Sequence, residues 1–197
     1  MWLTTTRTKE YSLRMSQLAT WALTVITALT AHTQTERLRS ETEVEMQTRY
    51  ASIGTDLEDV LLKSKPLFGD DENRHKTAAL MLAIASFESG FVQSVDVGSR
   101  RGDNGESYCI MQVRLGKQNV YFGPEEMRAW KGADLSSDRK KCFAAGLEAL
   151  RLSVSRCGTG PNGRALNIYA SGSCETPSAE AKHRWVFSQQ IARRFPL

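Results

Sequence analysis

The chain has 197 residues, 41% of them hydrophobic and 24% charged, which suits one domain of about 120 to 150 residues plus an N-terminal extension. Its net charge of +4 is mild, and its cations gather only in short runs such as Arg139-Lys140-Lys141 and Arg193-Arg194. That pattern lacks the basic stripe of a nucleic-acid binder, so no nucleic-acid partner is expected. No two of the cysteines form a Cys-x-x-Cys pair, and His32, His75 and His183 are scattered. Zinc is therefore not expected, and neither is any other metal or cofactor.

Residues 1–34 have the layout of a targeting segment. Arg7, Lys9 and Arg14 precede a moderately apolar run from Leu18 to Ala31. The run is too short and too rich in threonine for a stable membrane span. Export would give a secreted, periplasmic or cell-envelope location; an ordinary amphipathic helix or a loose tail is the alternative. Residues 35–45 are polar and charged, as a linker or an exposed helix is, and residues 46–197 make up the domain. Within it, Met46, Tyr50, Ile53, Leu57, Val60 and Leu61 recur at helical spacing. Pro66 and Gly69-Asp70 end that section. Asp70, Asp71, Glu72 and Asn73 then suit the N-terminus of a following helix.

That following helix is the stretch around which the chain is organised. The run Ala78-Ala79-Leu80-Met81-Leu82-Ala83-Ile84-Ala85-Ser86-Phe87 is long and rich in Ala, Leu and Met, which predicts a helix buried on most sides. Gly90 is its expected stop, because glycine tolerates the left-handed turn that ends many helices. Glu88 therefore falls in the last turn of a core helix. Apolar neighbours disfavour its charged form, and so does the partial negative charge of the helix C-terminus. A carboxyl held protonated near neutral pH is what a general acid needs. The alternative is a solvated helix end.

A loop rich in glycine and charge follows, from Gly98 to Glu106, with room for a short hairpin after it. Asp96, just before this loop, and Asp103 and Glu106 within it are the candidate second carboxylates. Arg101-Gly102-Asp103 is a chance-level match to an adhesive motif and receives no role. Phe143, Leu147, Leu150, Val154 and Cys157 lie at i, i+4, i+7, i+11 and i+14, an amphipathic helix with Asp138 as its start and Gly158 as its end. Residues 158–163 lack the ending of a phosphate loop and read as a turn. A short helix carries Leu166 to Tyr169, and the last helix opens near Thr176-Pro177 with Trp185, Ser188, Ala192 and Phe195 on one face. His183 on that helix reads as structural.

Cys109, Cys142, Cys157 and Cys174 permit two disulfides by three connectivities. Cys157 ends a predicted helix and Cys174 closely follows the Tyr169 segment, so this pair ties the two together and leaves Cys109 for Cys142. Four buried thiols in a reducing compartment are the alternative.

Taken together, Glu88-Ser89, the segment Ser107-Tyr108-Cys109-Ile110-Met111-Gln112 and the segment Asn167-Ile168-Tyr169-Ala170-Ser171-Gly172 resemble, in order and spacing, the lytic transglycosylases of the lysozyme-like superfamily. In that family an "ES" motif carries the acid, a "GLMQ" segment lines the sugar cleft and an "AYNAG" segment supplies a tyrosine near the acid. The resemblance runs from roughly Thr77 to Phe195. Cys109-Ile110 stands where Gly-Leu is usual, and Ala170 where Asn is usual. The resemblance implies a mostly α, lysozyme-like helical domain with at most a small β-hairpin, acting as a monomer on peptidoglycan glycan strands. The implied reaction cleaves the β-1,4 bond between N-acetylmuramic acid and N-acetylglucosamine and forms 1,6-anhydromuramic acid, with Glu88 as sole acid and base. Ser89, Ser107, Met111, Gln112 and Tyr169 are the implied substrate-site residues. Ser107, Gln112 and Tyr169 hydrogen-bond the sugar or the acid, while Met111 and Phe87 pack beneath. Two rivals remain: a goose-type-lysozyme-like hydrolase in which a loop Asp activates water, and a wall-binding protein with Glu88 idle.

Overall fold

The computed structural model describes residues 4–33, 40–115, 123–160, 163–175 and 178–197, and the side chains of all of these except residues 4–16, 33 and 72. Its helices are α1 (Thr4–Thr30), α2 (Glu43–Lys63), α3 (Arg74–Glu88), the single turn α4 (Gln93–Asp96), α5 (Gly132–Ser137), α6 (Arg139–Cys157), the short α7 (Asn167–Ser171) and α8 (Ala179–Arg194). Short 3-10 turns join several of these helices, and among the described residues one antiparallel hairpin sets β1 (Ser107–Tyr108) against β2 (Val113–Arg114), in the register Ser107 to Arg114 and Tyr108 to Val113. The fold is mostly helical with a small hairpin, as expected.

The apolar run predicted to be a buried helix is α3. Thr77 to Ala85 are all buried, because α8 lies along α3 while α1, α2 and α6 close the remaining sides. α2 starts at Glu43, earlier than its apolar spacing marks. Thr42 accepts from the Glu45 backbone N–H at 3.3 Å and its own N–H donates to the Glu45 carboxylate at 2.8 Å, a reciprocal cap that supplies the helix's missing partners. Part of the expected linker is therefore helix, and residues 34–39 lie outside the described residues. α6 begins and ends where its sequence signals stand. The Asp138 carboxylate accepts from the backbones of Lys140 and Lys141, and Gly158 leaves the helix at φ 71°. α8 is capped by Ser178, whose hydroxyl accepts from the Ala181 N–H at 3.2 Å. Pro161-Asn162 and Thr176-Pro177 lie outside the described residues.

The segment with a targeting layout forms α1, and its apolar run is part of the core. Leu18, Trp21, Ala22, Val25 and Ile26 are buried, chiefly against α2. Gly54 of α2 makes that approach possible: a Cβ there would stand 2.7 Å from the Ala19 carbonyl oxygen. The Trp21 indole N–H donates to the Phe195 carbonyl at 2.6 Å, joining α1 to the end of the chain. No helix among the described residues is long and apolar enough to cross a membrane. The disulfides are Cys109–Cys142 and Cys157–Cys174, the pairing that cysteine placement favoured.

Candidate active site

α3 delivers Glu88 to the surface by stopping abruptly. The Ser89 hydroxyl donates back to the Ala85 carbonyl at 2.7 Å and accepts from the Phe91 N–H at 3.1 Å, while Gly90 and Phe91 turn away at φ 54° and 56°. Phe91 bears that left-handed backbone without being glycine. Its fully buried ring, edge-on to Tyr50 at 6.4 Å, holds it there. Ser89 is thus occupied in shaping the helix end and is buried.

The Glu88 carboxyl opens into a cleft of about 590 Å³, a volume within the roughly 300–1,000 Å³ of small-ligand sites. The hairpin contributes Gln112, Val113 and Arg114 to its walls, α7 contributes Ile168 and Tyr169, and α6 contributes Ala149 and Leu152. Glu180 and Arg184 come from α8, and Asp103 from the turn before the hairpin. Burial raises the Glu88 carboxyl above the ordinary glutamate range. The Arg184 charge opposes that rise, and the charges of Asp103 and Glu180 add to it. The balance is upward. Arg184 is in direct contact, its Nη2 standing 2.8 Å from Glu88 Oε1.

Tyr169 and Glu88 face the same cleft, and the Glu88 charge adds to the burial that holds the phenol well above its usual pKa. The Tyr169 hydroxyl, however, donates to the Met111 carbonyl at 2.5 Å, so its partner is the tip of the hairpin and not the acid. That tip is a tight loop in which Cys109 and Gln112 have φ 61° and 46°. Cys109 occupies the position where the resembled motif has glycine, and the disulfide to Cys142 on α6 anchors this left-handed residue. Met111 is fully buried against α6, where Gly146 makes room; a Cβ at that glycine would fall 2.9 Å from the Met111 Cε. Gln112 reaches the cleft, with its amide N–H donating to the Cys109 carbonyl at 2.8 Å.

Several candidates stand elsewhere. Ser107 is buried and donates to the Asp103 carboxylate at 2.5 Å. Asp96 is buried in an ion-pair cluster, taking the Arg139 guanidinium at 2.9 and 3.1 Å and Arg49 at 3.4 Å. Glu106 pairs with Arg114 at 3.0 Å on the exposed side of the hairpin. Of the three candidate second carboxylates, only Asp103 lines the cleft. Phe87 does not pack beneath the site: it is 42% exposed, against Phe187 and His183 on α8. Sequence reasoning missed Glu180 and Arg184. The available signal was an arginine on the buried face of the last helix, four residues before Ser188 and seven before Ile191, with Glu180 one turn earlier. A scan of protein-family models, a search of curated proteins and a search of solved structures each gave no match to the chain.

Proposed function

We propose that the protein is a peptidoglycan lytic transglycosylase with Glu88 as its single acid and base. The observation that carries this reading is the placement of Glu88. It is a glutamate at the end of a buried helix, in an open cleft that also holds Tyr169 and Gln112, with its proton affinity raised by desolvation. Protonated Glu88 gives its proton to the glycosidic oxygen as the C1–O bond breaks, and the bonding pair leaves with that oxygen. The C6 hydroxyl of the same muramic acid then bonds to C1 and returns its proton to Glu88, so the carboxyl ends as it began. The internal hydroxyl is already tethered near C1, an advantage that outweighs the abundance of water. Tyr169 and Gln112 act through the hairpin tip, fixing the wall on which the sugar rests. Two disulfides are compatible with an oxidising location such as the periplasm or the exterior, where a wall polymer is met.

A second reading, hydrolysis, is favoured by one observation: Asp103 lines the same cleft and its charge is felt at Glu88. There Asp103 activates a water that attacks C1, as in two-carboxylate glycosidases. Digestion of purified peptidoglycan followed by mass spectrometry separates the readings. Anhydro ends are expected from the wild type, with Glu88→Gln losing most of the 10² to 10⁴ that acid catalysis is worth and Asp103→Asn losing far less. Reducing ends, together with an Asp103→Asn as inactive as Glu88→Gln, replace transglycosylation by hydrolysis. Unimpaired cleavage by Glu88→Gln overturns both.

A further inference from the structure

Among the described residues Glu88 has one ion-pair partner, and that partner is poorly satisfied. Arg184 projects from α8, its side chain 15% exposed, with Nη2 on the Glu88 carboxylate at 2.8 Å and the guanidinium over the Phe87 ring at 5.9 Å. Its Nε and Nη1 are buried and have no hydrogen-bond partner among the described residues. Leaving buried donors of a guanidinium unmatched is costly, and a salt bridge that loses water on both sides is weak support for stability. A group kept under those terms, beside the best-placed acid of the molecule, is more readily explained by the acid than by the fold.

We propose that Arg184 is a positioning residue for Glu88: it fixes the direction of the carboxyl and sets the balance between its acid and base forms. The inference rests on the acid–base reading of Glu88 given above. The two half-reactions ask opposite things of this carboxyl. Cleavage needs a proton on it, and closure of the anhydro ring needs the carboxylate. Burial favours the first form and Arg184 the second, so the contact keeps both within reach of one turnover. The other groups facing Glu88 do not replace it. Asp103 and Glu180 are like charges, Tyr169 is a neutral phenol, Arg114 is paired with Glu106, and α6 brings only Ala149 and Leu152 to this cleft.

The test combines two readouts in the full chain. The first is the titration of the Glu88 carboxyl, followed by NMR with ¹³C-labelled glutamate and assigned by its absence in Glu88→Gln. The second is the pH profile of anhydromuropeptide release from purified peptidoglycan. In Arg184→Gln the titration midpoint is expected to move up, the basic limb of kcat/KM to follow it, and kcat to fall about tenfold, within the range that acid–base catalysis commands. Arg184→Lys keeps the charge but loses the planar fork, so it is expected to restore the midpoint and leave kcat low. An unmoved midpoint in Arg184→Gln overturns the proposal, and so does a wild-type kcat in Arg184→Lys; the latter variant carries the test should Arg184→Gln fail to fold. A midpoint that moves in a protein whose wild type releases no wall fragments overturns the transglycosylase reading instead, and with it any part of Arg184 in a reaction.

Discussion

Tyr169 spends its hydroxyl on the Met111 carbonyl, so its loss acts first on the hairpin tip. Tyr169→Phe is expected to cost about 1 kcal/mol of stability through that unmatched carbonyl, measurable by urea denaturation, and to lower turnover by loosening the wall of the cleft. The resemblance implied Tyr169 near the acid but not its partner, since a hydrogen bond spanning 58 residues depends on how the hairpin folds back. Glu88 was legible for a local reason: an apolar run followed by Glu-Ser-Gly fixes both the helix and its end. Arg184 was not, because its meeting with Glu88 depends on the way α8 lies along α3. A second carboxyl with raised proton affinity lies outside the Glu88 cleft. Glu58 of α2 is buried beneath α1 and its pKa is pushed up to about 7 by desolvation, against the pull of a hydrogen bond with the Ala19 backbone. An unfolded chain ionises this group at ordinary glutamate pH, so the folded state binds the extra proton and becomes less stable as pH rises toward 7. Glu58→Gln is therefore expected to melt a few degrees above wild type at about pH 8, with the gap closing as pH falls toward about 4.5. An equal gap at both pH values would count against a titrating Glu58.

At the scale of elements, α1 is the part whose role could not be read from its composition. A basic prelude and a weakly apolar run fit a targeting segment, a surface helix and a core helix alike. What decides is the partner surface, and that depends on Gly54 leaving a groove for the Ala19 backbone. Gly54→Ala, which in an exposed helix gains about 1 kcal/mol, is here expected to lose about 1–3 kcal/mol through overpacking. A thermal melt of that variant reads the sign directly. Deleting residues 1–34 removes Leu18, Trp21, Val25 and Ile26 from the core. Each such side chain is worth about 1.5–3 kcal/mol when buried, and the sum approaches the whole stability of an ordinary domain, about 5–15 kcal/mol. The shortened chain is expected to lose cooperative unfolding, as followed by near-UV circular dichroism. A sharp, wild-type-like transition would show that α1 is dispensable. The other long helices were legible because periodicity, caps and stops agree locally, as Asp138 and Gly158 do for α6.

For the molecule as a whole, covalent and ionic ties converge on α6. Cys109–Cys142 binds the hairpin tip to α6, and Cys157–Cys174 binds the end of α6 to the segment after α7, spanning 33 and 17 residues. Closing loops of this size stabilises by about 3 kcal/mol each in the chain-entropy model. Reduction is expected to lower the melting temperature, and the Cys109→Ser/Cys142→Ser double variant to lose cleavage before it loses helicity. One turn before Cys142, Arg139 joins Arg49 on Asp96, which links α4 to α2 and α6 without a covalent bond. The hydrogen bond from Trp21 to Phe195 crosses 174 positions of the chain. At a synthesis rate of about 5–20 residues per second, about 9 to 35 seconds separate the making of its two partners. During that interval of many seconds the Trp21 face of the first helix waits without its final neighbour. The nascent chain therefore cannot close this seam until Phe195 has been made, however early the first helix forms.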